Sequence, residues 1–204
     1  DYVWTSPISF VASANCALYC GANIDFVDID INTGNMSVDA LEVKLIIASK
    51  QNRLPKVIIP VHFAGQSCEM EKIHHLALKY NFKIIEDASH AIGASYQNFP
   101  VGCCQFSDIT IFSFHPVKII TTAEGGLATT NDKELHTKMS LFRSHGVTRD
   151  KNLMIGKVDE DETWQYQQIT LGYNYRLTEL NAALGISQLD RLKVFIKRRN
   201  DLAI

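Results

Sequence analysis

"TIFSFHPVKIITTAEGGLATTND", residues 110 to 132, decides how the chain reads. An apolar, β-branched run ends near Pro116, Lys118 follows at once, and a Glu-Gly-Gly turn leads into a second short apolar run. Two strands with a lysine on the connection between them are the plain reading of that pattern. The lysine is either a solvated charge or a nucleophile at a strand end.

The same pattern extends in both directions. Short runs at "YVWTS", "IDFVDID", "KVIIPVH", "FKIIEDA", "DITIFSF" and "GGLATT" read as strands. They alternate with helix patterns near residues 9–20, 37–49, 68–80, 132–143 and 177–200. Ser37, Ser67 and Asn131 are candidate N-caps. Strands alternating with amphipathic helices predict an α/β layer system with a mostly parallel sheet flanked by helices. Leu177, Leu180, Leu184, Leu189, Leu192 and Phe195 predict a buried face on the last helix. Residues 146–171, with mixed charge, two glycines and Trp164, read as a long loop. No repeat, low-complexity tract or Gly/Ser/Pro linker divides the chain, so one layer system is expected.

Composition narrows the classes of function. The chain has 204 residues, 46% hydrophobic and 21% charged, as ordinary globular domains do. Twenty basic against 22 acidic residues, with no basic block before "IKRRND", leave no electrostatic footprint for nucleic acid or an anionic membrane. No apolar stretch approaches a span of roughly 20 residues, and "DYVWTSPISF" lacks signal-peptide features. The expected location is cytoplasmic. Five cysteines without CxxC spacing give neither a disulfide framework nor a zinc site. A first residue other than Met and a helix pattern cut short at the end read as an internal piece of a longer protein.

In open parallel sheets, ligands gather beyond the carboxyl ends of the strands. That rule selects His62, Asp87, His90, Ser113, His115 and Lys118. A lysine nucleophile must lose its proton, so its ordinary pKa of about 10.4 has to fall through burial or a cationic neighbour. A carboxylate beside a strand end needs a positive partner, and a protonated pyridine nitrogen is one. Pyridoxal phosphate (PLP) asks a protein for this pair, a lysine and an acidic partner for its ring nitrogen. On residue chemistry alone Lys118 also reads as a surface charge and Asp87 as a helix N-cap, and both readings stand. His62, His74, His75 and His136 show no metal-ligand spacing and read as structural or solvated, and no GxGxxG supports a nicotinamide fold.

Three joined motifs, "EDASHAIGASYQNFPVG", "SDITIFSFHPVKIITTAEGGLATTND" and "LGYNYRLTELNAALGISQLDRL", with "PVHFAGQSCEM" before them, resemble the DegT/DnrJ/EryC1/StrS sugar aminotransferases. The likeness covers nearly the whole chain. It implies PLP-dependent transferase fold type I, the aspartate-aminotransferase-like large domain. It implies that Lys118 carries the cofactor, Asp87 keeps the pyridine nitrogen protonated, His90 contacts the ring hydroxyl and Phe10 stacks on the ring. Ser113 is implied as a phosphate contact, Asn174 as a contact to the phosphate of a neighbouring subunit's cofactor, and Arg176 as a residue beside it. A homodimer with shared active sites follows from the same resemblance.

The implied reaction moves an amino group from L-glutamate to a UDP-linked 4-keto-6-deoxy-amino-sugar, with the finer likeness running to members that serve pseudaminic acid biosynthesis. Lysine at 118 argues against the family's dehydratase branch, where a histidine stands. Family members begin with a hydroxyl-rich helix N-terminus that cradles the phosphate and end in a smaller domain. Neither pattern is in this chain, so the resemblance places residues 1–204 as the central part of the PLP-binding large domain.

Overall fold

Short strands with apolar residues on alternate sides must be covered on both faces, and two sets of helices do so here. The computed structural model describes residues 1–156 and 164–203. Its strands are β1 (Tyr2–Thr5), β2 (Asn23–Phe26), β3 (Val57–Ile59), β4 (Lys83–Asp87), a small hairpin of β5 (Ser95–Tyr96) and β6 (Phe99–Pro100), then β7 (Ile109–Ser113) and β8 (Gly126–Thr129). Six of them form one sheet in the order β2-β1-β3-β4-β7-β8. All neighbours run parallel except β7 and β8, which are antiparallel. The expected α/β class with a mostly parallel sheet is the observed one.

Strand alternation sorts the core into two layers. Trp4, Ile58 and Ile84 join Leu41 and Leu45 of α2 (Val38–Lys50) and Ile73 of α3 (Met70–Tyr80) in the larger cluster. Val3 and Ile59, one residue away on their strands, pack with Ala17 of α1 (Ala12–Tyr19), and Ile85 lies against them. Helices therefore lie on both faces.

The caps were legible in part. Ser37 accepts a hydrogen bond from the Ala40 amide at 3.2 Å and starts α2 as expected. Ser67 does not cap α3, whose N-cap residue is Glu69 and carries no side-chain cap bond. Asp132, not Asn131, caps α4 (Lys133–Arg143), accepting from the amides of Glu134 and Leu135 at 2.7 and 3.0 Å. Asn131 instead donates to the Cys103 carbonyl.

Two expectations are corrected. The helix expected over 177–200 is two, α5 (Glu179–Leu189) and α6 (Leu192–Ala203), broken at Asp190 and Arg191. The leucine stripe on α5 is exposed, Leu180 at 85%. The helix turns its small face inward, with Gly185 placed so that a Cβ would sit 2.8 Å from Thr122. The chain divides into two compact units, residues 1–131 with 180–204, which hold the whole six-stranded sheet, and residues 132–179. The second unit holds α4 and a two-stranded hairpin of β9 (Val147–Thr148) and β10 (Gln167–Gln168). It closes on itself through Ser144 and Asn174, which form an antiparallel bridge. That hairpin lies within the stretch expected as loop, of which residues 157–163 lie outside the described residues.

Leu45 is fully buried between α2 and the sheet. Leu45→Ala is expected to lower unfolding free energy by about 2–5 kcal/mol through lost burial and a cavity. A urea midpoint within error of the parent would contradict this packing.

Candidate functional site

β4 lies between β3 and β7 and delivers two consecutive carboxylates to opposite faces of the sheet. Asp87 is the outer one. Its Oδ2 accepts from the Ser13 hydroxyl of α1 at 2.6 Å, and its Oδ1 accepts from the Ser89 amide at 3.1 Å. Its backbone is fixed as well, since His62 N–H donates to its carbonyl at 3.0 Å and its own N–H donates to Pro60 at 2.9 Å.

Glu86 turns the other way and is buried. It accepts from His62 Nε2 at 2.7 Å, Thr110 Oγ1 at 2.9 Å and Ser107 Oγ. The Cys68 amide donates to His62 Nδ1 at 3.2 Å, so the ring proton sits on Nε2 and points at Glu86. Burial pushes the Glu86 carboxyl up, but hydrogen bonds from His62, Ser107 and Thr110 outweigh it and hold the carboxyl below its ordinary range. His62 is thus the structural histidine that spacing implied.

Lys118 sits in the connection from β7 to β8, and the base of that loop is tied shut. Phe114 N–H donates to Gly125, while Thr122 N–H and Thr121 Oγ1 both donate to the Phe114 carbonyl, all within 2.9–3.0 Å. Lys118 N–H closes a turn on His115 at 3.0 Å. Asn181 of α5 donates to the carbonyls of Thr122 and Glu124, so the lysine loop is braced from outside as well.

Lys118 and His90 line one cleft of about 680 Å³, with Gly65, Ser89, Ile119 and Arg199 among its walls. His90 registers both candidate catalytic charges. Partial burial of its ring lowers its pKa first, the Lys118 ammonium lowers it further, and Asp87 pulls it the other way. Gly65 makes this wall possible, because it holds φ +90° and a Cβ there would lie 2.7 Å from the His90 carbonyl.

The remaining residues are placed as follows. Phe10 stands 77% exposed in the turn before α1, its carbonyl bonded to the Ser13 amide at 3.1 Å. Ser113 ends β7, and its Oγ accepts a long 3.4 Å bond from the His115 amide. Asn174 and Arg176 belong to the second unit, where Asn174 pairs with Ser144 and the flanking Tyr173 and Tyr175 stack at 5.0 Å. The structure thus brings His90 and Lys118 together on one cleft of the first unit, and Asp87, at the end of β4, acts on the same imidazole. Sequence reasoning missed Ser13, because its partner is 74 residues away and no local pattern marks it.

The set fits PLP, with an amine and an imidazole on one cleft, a carboxylate fixed at the end of β4 three residues before the imidazole, and small residues at the wall. Among the described residues no group of three or more His, Cys, Asp or Glu could hold a metal ion. No helix of the described residues is long and apolar enough to cross a membrane.

The His90 imidazole is expected to titrate below the ordinary value of about 6.5. Lys118→Met removes a positive neighbour that opposes protonation and moves the midpoint up, whereas Asp87→Asn removes a negative one and moves it down. NMR titration of the His90 ring checks both signs. An unmoved midpoint in Lys118→Met would mean that the two side chains do not share the cleft.

A family model described as the DegT/DnrJ/EryC1/StrS aminotransferase family matches residues 1–204. The UDP-4-amino-4,6-dideoxy-N-acetyl-beta-L-altrosamine transaminase of Campylobacter jejuni subsp. jejuni (strain 81-176) is 43% identical over 200 residues, which are 98% of this chain and 49% of that protein. Helicobacter pylori PseC, a solved aminotransferase involved in the biosynthesis of pseudoaminic acid, matches at 43% identity and TM-score 0.80 over 95% of this chain and 47% of its own. The Streptococcus pneumoniae Spr1654 protein in its PLP form matches at 30% identity and TM-score 0.79, over 100% and 52%. The chain spans about half the length of the curated relatives it matches. It belongs to the DegT/DnrJ/EryC1/StrS aminotransferase family, and its α/β sheet is the large-domain fold of those enzymes.

Proposed function

We propose that residues 1–204 are the central, cofactor-bearing part of the large domain of a PLP-dependent nucleotide-sugar aminotransferase. The observation that carries this is the convergence of Lys118 and His90 on one cleft, with Asp87 acting on the same imidazole. The bound cofactor supplies an aldehyde that takes up amino groups and a pyridine ring that accepts electrons. Asp87 holds the proton on the ring nitrogen. His90, kept neutral near pH 7 by its surroundings, contacts the ring hydroxyl, and Phe10 covers the ring face. Ser113 is assigned to the phosphate, and Asn174 with Arg176 to the phosphate site of a partner subunit.

Lys118 Nζ takes the proton from Cα of the amino donor and, in the second half-reaction, delivers one to C4 of the sugar. L-Glutamate is the donor in this scheme, and a UDP-linked 4-keto-6-deoxy-amino-sugar is the acceptor. Relatives that match over nearly all of this chain are named for the altrosamine transaminase reaction, which favours a place in pseudaminic acid biosynthesis.

Borohydride reduction of the protein with PLP, followed by peptide mapping, is expected to label Lys118. Lys118→Ala is expected to lose the label and to lower transamination by on the order of 10²–10⁴-fold. A label on another lysine, or none, would sink the assignment.

The same proposal includes a homodimer, since the exposed side chains of Leu180 and Ile186 give α5 apolar surface for a second copy. Light scattering on a size-exclusion column should show twice the chain mass. A well-folded monomer at tens of micromolar would overturn the dimer.

A further inference from the structure

Ser13 is 6% exposed in the first turn of α1, and its hydroxyl donates to Asp87 Oδ2 at 2.6 Å across 74 residues of chain. Its second contact is Ser9 Oγ at 2.7 Å. Proton counting gives the direction. A hydroxyl has one proton and an ionised carboxylate has none, so Ser13 must give its proton to Asp87 and accept one from Ser9. The rival acceptor for the Ser9 proton is the Phe10 carbonyl, which is farther at 3.2 Å. The result is a directed chain, Ser9 to Ser13 to Asp87.

The Ser89 amide meets the other carboxylate oxygen at 3.1 Å, so Asp87 is gripped from two elements at once. A carboxylate has about four lone-pair sites, and two donors leave room for a third. Docking of α1 does not require this bond, because Ala17 already packs with Val3 and Ile59. A charge-assisted bond at 2.6 Å from a nearly buried hydroxyl is therefore free to set the plane of the carboxylate.

We propose that Ser13 is a positioning residue that aims the Asp87 carboxylate at the ring nitrogen of a pyridine cofactor. The inference rests on the proposed PLP site. Ser13 need not touch the cofactor. It acts through Asp87, and Ser9 completes the chain by satisfying the Ser13 oxygen.

The test compares binding of PLP with binding of its 1-deaza analogue, in which a ring carbon replaces the nitrogen. Titrations by absorbance would be run on the parent chain and on Ser13→Ala, Ser13→Thr and Ser13→Cys. The parent should prefer PLP. Ser13→Ala should lose about tenfold in PLP affinity, the size of one hydrogen bond to a charged group, with little change for the analogue. Ser13→Thr, which keeps the donor, should keep the preference. Equal loss for both ligands would show that Ser13 only anchors α1, and no loss for either would show that it does nothing, and both results overturn the inference. If Ser13→Ala does not fold, Ser13→Cys, of similar size and with a weak donor, answers by the same comparison. A parent chain that binds neither ligand, or both equally, removes the proposed cofactor site itself and is told apart by needing no variant.

Discussion

A carboxylate at the carboxyl end of a central strand has to be met by donors, because leaving it unpaired there is costly. Asp87 is that group, and its two donors come from two separate segments. The turn after β4 bends back so that the Ser89 amide reaches Oδ1, and α1 begins where Ser13 reaches Oδ2. The loop after β3 approaches closely enough that Gly65 lies against the His90 carbonyl. Removing the carboxylate would leave the Ser13 hydroxyl and the Ser89 amide without their acceptor.

Glu86 next to it shows what a carboxylate looks like when the fold consumes it. His62, Ser107 and Thr110 all donate to it, and burial closes it to a ligand. Asp87 has two protein donors and stands on the face where Phe10 and α1 begin. Two neighbouring residues of the same charge thus separate into a buried carboxylate that the fold satisfies and one that keeps room for a further donor, and strand alternation is what sends them apart.

Much of this was legible in the sequence, for a physical reason. Period-two apolar runs and the strand-end rule are local, and together they select Asp87, His90 and Lys118 along with His62, Ser113 and His115. Ser37 was readable because a cap bond spans only three residues. Ser13 was not readable, since a serine among alanines on a helix face says nothing about a carboxylate far along the chain. The stripe from Leu177 to Leu189 was misread because periodicity fixes which residues share a face and leaves open what covers it. Asp132 displaced Asn131 as a cap because both neighbours have capping side chains, and the asparagine found a carbonyl at Cys103 instead.

The charges on the cleft walls bear on the ligand independently of the family. Lys118 and Arg199 line it beside the His90 imidazole, and none of the described residues lining it is a carboxylate. Asp87 pulls on His90 yet is not part of the wall, and its two oxygens are turned to Ser13 and Ser89. A wall of this sign lowers the energy of phosphate and carboxylate groups and repels free amines in their protonated form. An amine donor entering such a cleft gains most when it also carries carboxylates, and a keto sugar gains most when it carries a diphosphate. In the proposed reaction Lys118 would therefore serve twice, transferring the protons and helping to select both partners by their charge.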